Sequence, residues 1–135
     1  MPSKTTVIAP PANLLKKFRA EVSKVVRRTA FKIEESAKVA APVDLGFLRN
    51  SIYTATFSKS NYSENTAKAR AKNPKGKLND EERSPGDLTA IVAVAAEYGP
   101  CVEFGTRYQR AQPYFLPAIE QARRYFDDEL EKLIK

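Results

Sequence analysis

Two long runs of apolar residues at helical spacing mark the beginning and the end of this chain. In the first run, apolar side chains recur every three or four positions, which predicts a helix over residues 13–40 with Asn13 as its N-cap and Pro42 just beyond its end. The second helix is predicted to begin within residues 113–117 and to reach the C-terminus, with most acidic residues outside its apolar face. Each helix therefore has one stripe to bury against the rest of the protein.

The sequence between these helices predicts two β-strands. Residues 52–57 (IYTATF) are β-branched and aromatic, and residues 88–96 (LTAIVAVAA) are almost continuously apolar, as in a strand covered on both faces. Antiparallel pairing of the two makes residues 58–87 the tip of a long hairpin. Those residues show no sustained apolar pattern, so they predict a long flexible loop. Residues 98–106 predict a short helical turn, with a short strand as the competing interpretation.

Together these elements predict one α+β domain over residues 1–135, with the long N-terminal helix and the C-terminal helix packed on a small antiparallel sheet. Residues 1–12 are polar and rich in proline, and we expect them to be mobile. No stretch approaches the roughly 20 apolar residues that span a bilayer, and the N-terminus lacks the apolar core of a signal peptide. We therefore expect a soluble protein made in a cytoplasm, with no membrane partner.

The composition argues against catalysis. The chain has no histidine, and its single cysteine, Cys101, is predicted to be a buried thiol because its neighbour Val102 is apolar. It has no cysteine cluster and no glycine-rich loop that would cradle a phosphate. We expect no catalytic residue, no bound metal ion and no cofactor.

A first motif, PVDLGFLRNSI, follows the first helix. Asp44 is placed to accept hydrogen bonds from the free amides of a short helical turn, and Leu48 to complete a hydrophobic staple. Gly46 would let the turn approach a neighbouring backbone, and Arg49 could pair with a carboxylate such as Asp44 or Glu103. The set lacks a nucleophile or a second acid, so a structural role is favoured over a catalytic one.

A second motif consists of VEFGT at residues 102–106 and QPYFLPA at residues 112–118. Gly105 suits a left-handed cap at the end of the helical turn. Val102 and Phe104 are predicted to anchor that turn in the core, while Glu103 points elsewhere.

The net charge of +7 is concentrated in two places. Residues 1–40 hold nine Lys or Arg against three acids, and residues 58–87 hold seven against five. Such a footprint fits an anionic partner such as nucleic acid, and it equally fits a solvated face. Only Tyr62 offers a nearby aromatic ring for base stacking, so contact with a phosphate backbone is the remaining nucleic-acid interpretation. Five of the seven cations form a basic stretch within this loop, namely Lys68, Arg70, Lys72, Lys75 and Lys77.

The first helix is long enough to contact another molecule, at roughly 40 Å for its predicted length. Lys16 and Lys17 lie in its first turns, where the helix dipole disfavours cations. Phe31 falls about 160° around the helix from Leu15, on the otherwise polar face. These three residues, Lys16, Lys17 and Phe31, are candidate interface residues, although single exposed aromatics are also common on monomers.

Taken in order, the long helix, PVDLGFLRNSI, the strand, the variable loop, the apolar strand, EYGPCVEFGT and QPYFLPA resemble the phage tail-component family of lambda-like siphophages. Members are described as neck, head-tail joining or tail-completion proteins. The resemblance covers about residues 14–135 without residues 58–87, and Leu45 and Cys101 depart from the usual pattern. It implies that the scaffold is held by Asp44, Gly46, Leu48, Arg49, Glu103, Phe104, Gly105, Thr106, Pro113, Phe115 and Pro117.

The resemblance further implies a virion protein without enzymatic activity, which forms a ring of six subunits between head connector and tail tube. Its partners would be further copies of itself, head-connector and tail proteins, and packaged DNA in the channel. It would assemble in the host cytoplasm. The alternative is a small basic protein that binds double-stranded DNA, whose affinity would fall steeply as salt rises.

Overall fold

The computed structural model describes residues 12–42, 46–79 and 85–134 of the protein. Seven elements follow one another along these residues. They are α1 (Ala12–Ala40), α2 (Gly46–Ser51), β1 (Ile52–Thr56), α3 (Tyr62–Lys72), β2 (Ala90–Val94), α4 (Gly99–Phe104) and α5 (Leu116–Ile134). The predicted mobility of residues 1–12 falls outside the described residues, except that Ala12 is the first residue of α1.

The predicted α+β architecture is confirmed. Strands β1 and β2 pair antiparallel, with Ile52 opposite Val94 and Thr56 opposite Ala90. Helix α1 packs against α5 and against both strands, so the two long helices form one layer and the sheet another. The short helical turn predicted for residues 98–106 is also confirmed, as α4.

Helix α1 buries its stripe only over its C-terminal two-thirds. Val25, Ala30 and Ala37 are buried at helical spacing, whereas every residue from 12 to 21 is exposed. The helix begins one residue before the predicted N-cap, so Asn13 lies inside the first turn. The first ten residues of α1 therefore extend past the sheet and its core.

The prediction of a flexible loop over residues 58–87 is wrong for residues 62–72, which form α3. This helix has no apolar stripe to reveal it, because the side chains that it buries are those of Asn65, Thr66 and Ala69. It is held by polar contacts that the hydrophobic pattern of the sequence does not encode.

Those contacts centre on Glu34, a carboxylate buried in the middle of α1. Asn65 Nδ2 donates to Glu34 Oε1 at 2.8 Å and to the Ile52 carbonyl oxygen at 2.8 Å. Asn61 Nδ2 donates to the same Oε1 at 2.9 Å, while Asn61 Oδ1 accepts from the Thr54 amide at 2.8 Å. Lys38 Nζ lies 3.3 Å from Glu34 Oε1 and supplies the opposite charge. One carboxylate thus joins α1, β1 and α3.

A close approach at Gly76 completes the packing of this region. A Cβ atom built there would lie 2.4 Å from the ring of Phe47 in α2, which no real side chain tolerates. The turn after α3 therefore lies directly on the Phe47 ring.

Strand β2 is less buried than predicted. Every residue from Ala90 to Val94 is half-buried, because α1 and β1 cover the strand while an open groove borders it elsewhere. The continuously apolar sequence is therefore not explained by cover on both faces.

We expect Glu34→Ala to lower the free energy of unfolding by about 2 kcal/mol, since it leaves buried amide donors of α3 without their charged acceptor. The matched control is Glu35→Ala, the next residue of the same helix, which is exposed and should change stability by less than about 0.5 kcal/mol. Urea unfolding measures both variants. Equal effects of the two substitutions would contradict the structural role given to Glu34.

Candidate interaction surfaces

The carboxylate of Glu103 joins the two parts of the second motif. This side chain, only 6% exposed, reaches from α4 to the first residues of α5. Its Oε2 accepts from the Tyr114 amide at 2.6 Å and from the Phe115 amide at 3.1 Å, and its Oε1 accepts from the Leu116 amide at 2.7 Å. A negative charge on the free amides of a helix N-terminus is favoured by both hydrogen bonding and the helix dipole. Glu103 is therefore the N-terminal cap of α5.

Tyr114 makes a second connection between α4 and α5. Its ring is buried, and its hydroxyl donates to the Gly99 carbonyl oxygen at 3.1 Å. Burial, and then the charge of Glu103, raises the pKa of Tyr114, because a phenolate there would lose its hydration and face a carboxylate. The hydroxyl therefore stays protonated and keeps its role as a donor.

The loop between α4 and α5 depends on two further motif residues. Gly105 has a φ of +79°, and a Cβ atom there would lie 2.7 Å from the Ala111 amide nitrogen. The predicted glycine requirement is thus confirmed. Thr106 Oγ1 accepts from the Gln109 amide at 3.1 Å. Pro113 and Pro117 are exposed on either side of the start of α5, and Phe115 is half-buried beneath it.

Three predictions for this region are wrong. Glu103 is not directed away from the core, and its cap on α5 explains why. Phe104 does not anchor α4, since it is 69% exposed, because the one turn of α4 directs Val102 and Glu103 inward and leaves the next side chain outside. Cys101 is exposed, at a position of the same turn that faces solvent.

The first motif plays a structural part. Leu48 is completely buried, and Arg49 Nη2 donates to the Ala41 carbonyl oxygen at 3.3 Å. Among the ion pairs of the described residues there is none between Arg49 and Glu103, whose oxygens instead bond to the start of α5. The nearest atom to a Cβ built on Gly46 is a Lys72 side-chain carbon at 3.5 Å, an ordinary contact, so the predicted close backbone approach is wrong. The predicted cap Asp44 lies outside the described residues.

The α1 overhang, residues 12–21, is an apolar and basic surface. Leu14, Leu15 and Phe18 are 54%, 46% and 46% exposed, on the continuation of the stripe that α1 buries further along. The predicted interface residues Lys16 and Lys17 are exposed on either side of it. Large apolar side chains grouped on an exposed helix face are typical of a protein contact.

Phe31 is exposed on α1, as predicted from its position on the helix. It lies beside Lys32, whose Nζ is 4.4 Å from the centre of the Tyr125 ring of α5. The ammonium group over the ring face stabilises the contact between the two long helices. Phe31 itself remains a candidate interface residue.

The five cations predicted for a DNA-facing loop are all exposed, on α3 and on the turn after it. Lys68 and Lys72 are one turn apart, but Arg70 lies on the opposite side of the helix. Lys68 Nζ is 3.4 Å from the Glu64 carboxylate. The cations are therefore spread around α3 and do not form a single stripe. Lys75 and Lys77 extend this basic region into the turn.

An open groove of about 920 Å³ separates β2 from α4 and from the start of α5. Ile91, Val92 and Val94 line one side, and the exposed rings and side chains of Phe104 and Leu116 line the other. Sequence reasoning missed both this groove and the buried Glu34. An acidic residue inside an apolar helical stripe was the available signal for Glu34, whereas nothing in the sequence marks the groove.

Within the described part of the chain, no group of His, Cys, Asp and Glu side chains could hold a metal ion. Over the same residues, no helix combines the length and the apolar character needed to cross a membrane.

A family model described as "Bacteriophage HK97-gp10, putative tail-component" matches residues 12–105 of the chain. The match extends from the start of α1 to the end of α4, so it includes the first motif and Glu103 but not α5. No curated protein and no solved structure matches the chain.

We expect Glu103→Ala to lower the free energy of unfolding by about 2–4 kcal/mol, because the amides that it caps are left without an acceptor. Glu103→Gln, which keeps one acceptor oxygen, should be less damaging. The control is Glu97→Ala, an exposed acid that precedes α4. Thermal and urea unfolding measure all three, and a stable Glu103→Ala protein would rule out the capping role.

Stability should fall at alkaline pH through Tyr114. Its pKa is raised in the folded protein, so its contribution is fully present below the unfolded value of about 10 and is lost as pH rises toward the folded value. Urea unfolding from pH 8 to 11 measures this loss. The alkaline decline should be shallower in Tyr114→Phe, and identical slopes for the two proteins would contradict the assignment.

Proposed function

We propose that this chain, which belongs to the HK97-gp10-like family of bacteriophage tail components, forms an oligomeric ring at the junction between the head and the tail of the virion. The resemblance to phage tail components is confirmed by the family match, and a tail component is part of the virion. The ring, its six-fold symmetry and its contacts with head-connector and tail proteins are the proposal.

The observation that carries this proposal is the α1 overhang. Leu14, Leu15 and Phe18 lie on the first turns of α1, where they remain 54%, 46% and 46% exposed. Burying each such side chain is worth about 1.5–3 kcal/mol. A surface of this kind is favourable only if another molecule covers it.

The distribution of charge supports a second copy of the chain as the molecule that covers the α1 overhang. The overhang carries Lys16, Lys17 and Arg19, whereas the last two turns of α5 carry Asp127, Asp128, Glu129 and Glu131. Opposite charges on two surfaces of each subunit favour a head-to-tail contact, in which one surface of a subunit meets another surface of the next. Such contacts close into a ring when the rotation between subunits permits.

The capped α4–α5 junction suits a ring subunit. Glu103 and Tyr114 fix the start of α5 relative to the sheet, so the acidic end of α5 and the α1 overhang keep a constant separation. A constant separation is what a closed ring requires of each subunit. In that ring, we place the cations of α3 toward the DNA channel or toward a neighbouring subunit.

The test compares two exposed apolar residues of the same helix. Phe18→Asp puts a charge on the overhang, and we expect it to abolish the ring, since burying an unpaired carboxylate is strongly unfavourable. Val39→Asp is the matched control, because Val39 is 77% exposed at the other end of α1. Electron microscopy of the purified proteins, and of heads and tails completed with each protein, measures ring formation and joining.

The native protein and Val39→Asp should give a ring at the neck and joined particles, whereas Phe18→Asp should give neither. Circular dichroism checks that Phe18→Asp is folded. Normal joining by the folded Phe18→Asp protein would refute the overhang as the subunit contact. Density for α3 on the outer surface, away from both DNA and neighbouring subunits, would refute its proposed placement.

A further inference from the structure

The two edges of the sheet differ sharply. On β1, outward-facing backbone groups have partners: the Ile52 carbonyl oxygen accepts from Asn65, the Thr54 amide donates to Asn61, and Thr56 exchanges backbone bonds with Lys59. In an antiparallel pair, residues opposite each other either both face the partner strand or both face away. The residues opposite these three are Val94, Val92 and Ala90. Their backbone groups therefore point away from β1, to the outer edge of β2.

In the part of the chain that the structure describes, that outer edge is unpaired. Among the described residues, no amide or carbonyl group bonds to the outward groups of Ala90, Val92 and Val94. The nearest neighbouring backbone is that of residues 77–79, and it pairs only beyond the strand, where Asn79 donates to the Ala95 carbonyl oxygen at 2.7 Å. An unpaired edge is a template for another strand.

The groove described above adjoins this edge. The backbone of an added strand would bond to Ala90, Val92 and Val94, and its side chains on the face toward the groove would meet Phe104 and Leu116. The site therefore selects an extended, apolar segment about five residues long, matching the length of β2.

The sequence contains such a segment outside the described residues, at residues 5–9 (TTVIA). Four consecutive β-branched residues favour an extended strand. Pro10 and Pro11 follow, and because proline has no amide proton, they would end the pairing ahead of α1.

Geometry assigns this segment to a different copy of the chain. Ser23 of α1 lies level with Thr89, just before β2, and the strand runs from there toward the Ala37 end of the helix. Ala12 lies eleven residues before Ser23, about 16 Å away along the helix in the opposite direction. Three Cα–Cα steps separate Ala12 from Ala9 and span at most about 11 Å. The segment therefore cannot pair along the whole length of its own β2.

We propose that residues 5–9 of one subunit add as a third strand to the free edge of β2 in a neighbouring subunit. This inference rests on the proposed ring, and it identifies a second contact of the same assembly. The α1 overhang that precedes the core would carry the donated strand to the neighbour. One continuous sheet would then cross each subunit boundary.

The test adds a synthetic peptide of residues 3–11 (SKTTVIAPP) to the full-length protein at a dilution where it is monomeric. Amide hydrogen exchange is followed by NMR. We expect exchange at Val92 and Val94 to slow at least tenfold, with no change at Ile91 and Ala93, which already bond to β1. A peptide with Val7→Pro loses one donor and should bind at least tenfold more weakly.

A protein variant tests the same edge from the other side. Val92→Pro removes an amide that faces away from β1, so it should leave the hairpin intact and weaken peptide binding at least tenfold. Val92→Thr keeps the amide and should bind as the native protein does. A melting curve confirms that each variant is folded.

The proposal is overturned if the peptide leaves Val92 and Val94 unprotected. It is equally overturned if these amides are already protected in the monomer, which would assign the edge to residues 80–84 of the same chain. If chains with Val7→Pro form normal rings, the donated strand is refuted and the proposed ring is not. If the peptide protects these amides but no ring is seen at the neck, the strand-binding site is supported and the proposed ring is refuted.

Discussion

The carboxylate of Glu103 is the constraint on which the C-terminal half of this structure depends. It lies on the single turn of α4 and accepts three backbone amides at the start of α5, so it fixes where the last helix begins and in which direction it runs. Helix α5 then packs along α1 and covers the core. A buried carboxylate is unfavourable unless its oxygens are bonded, and here the helix supplies the donors. The two parts of the second motif thus form one capping interaction between α4 and α5.

A second buried acid, Glu34, likewise joins separate elements, in its case α1, β1 and α3. It bonds to Asn61 and Asn65, and those amides also satisfy the outer edge of β1. The consequence is an asymmetric sheet, because side chains and α3 close one edge, whereas no described residue pairs with the β2 edge. Of the features that suit assembly, the β2 edge and the α1 overhang lie outside these two polar clusters, whereas the groove borders the Glu103 cluster.

This division explains why the motifs of the family are structural. Leu48, Glu103 and Gly105 hold the elements at fixed angles, and none of them is available to a partner. The surfaces proposed to meet other subunits are instead an apolar helix end and a strand edge. Both are recognised by shape, burial and backbone hydrogen bonds, which need no reactive group.

The sequence by itself determined the two long helices, the two strands, the turn at α4 and the glycine at position 105, because each has a local signal in periodicity or backbone conformation. It also marked Phe31 and the over-long α1 as exposed. Tertiary structure alone decided the roles of Glu34 and Glu103, the helix over residues 62–72, and the exposure of Phe104 and Cys101. The reason is physical: a hydrogen bond between residues distant in the chain leaves no periodic trace, and a six-residue helix can turn either face inward.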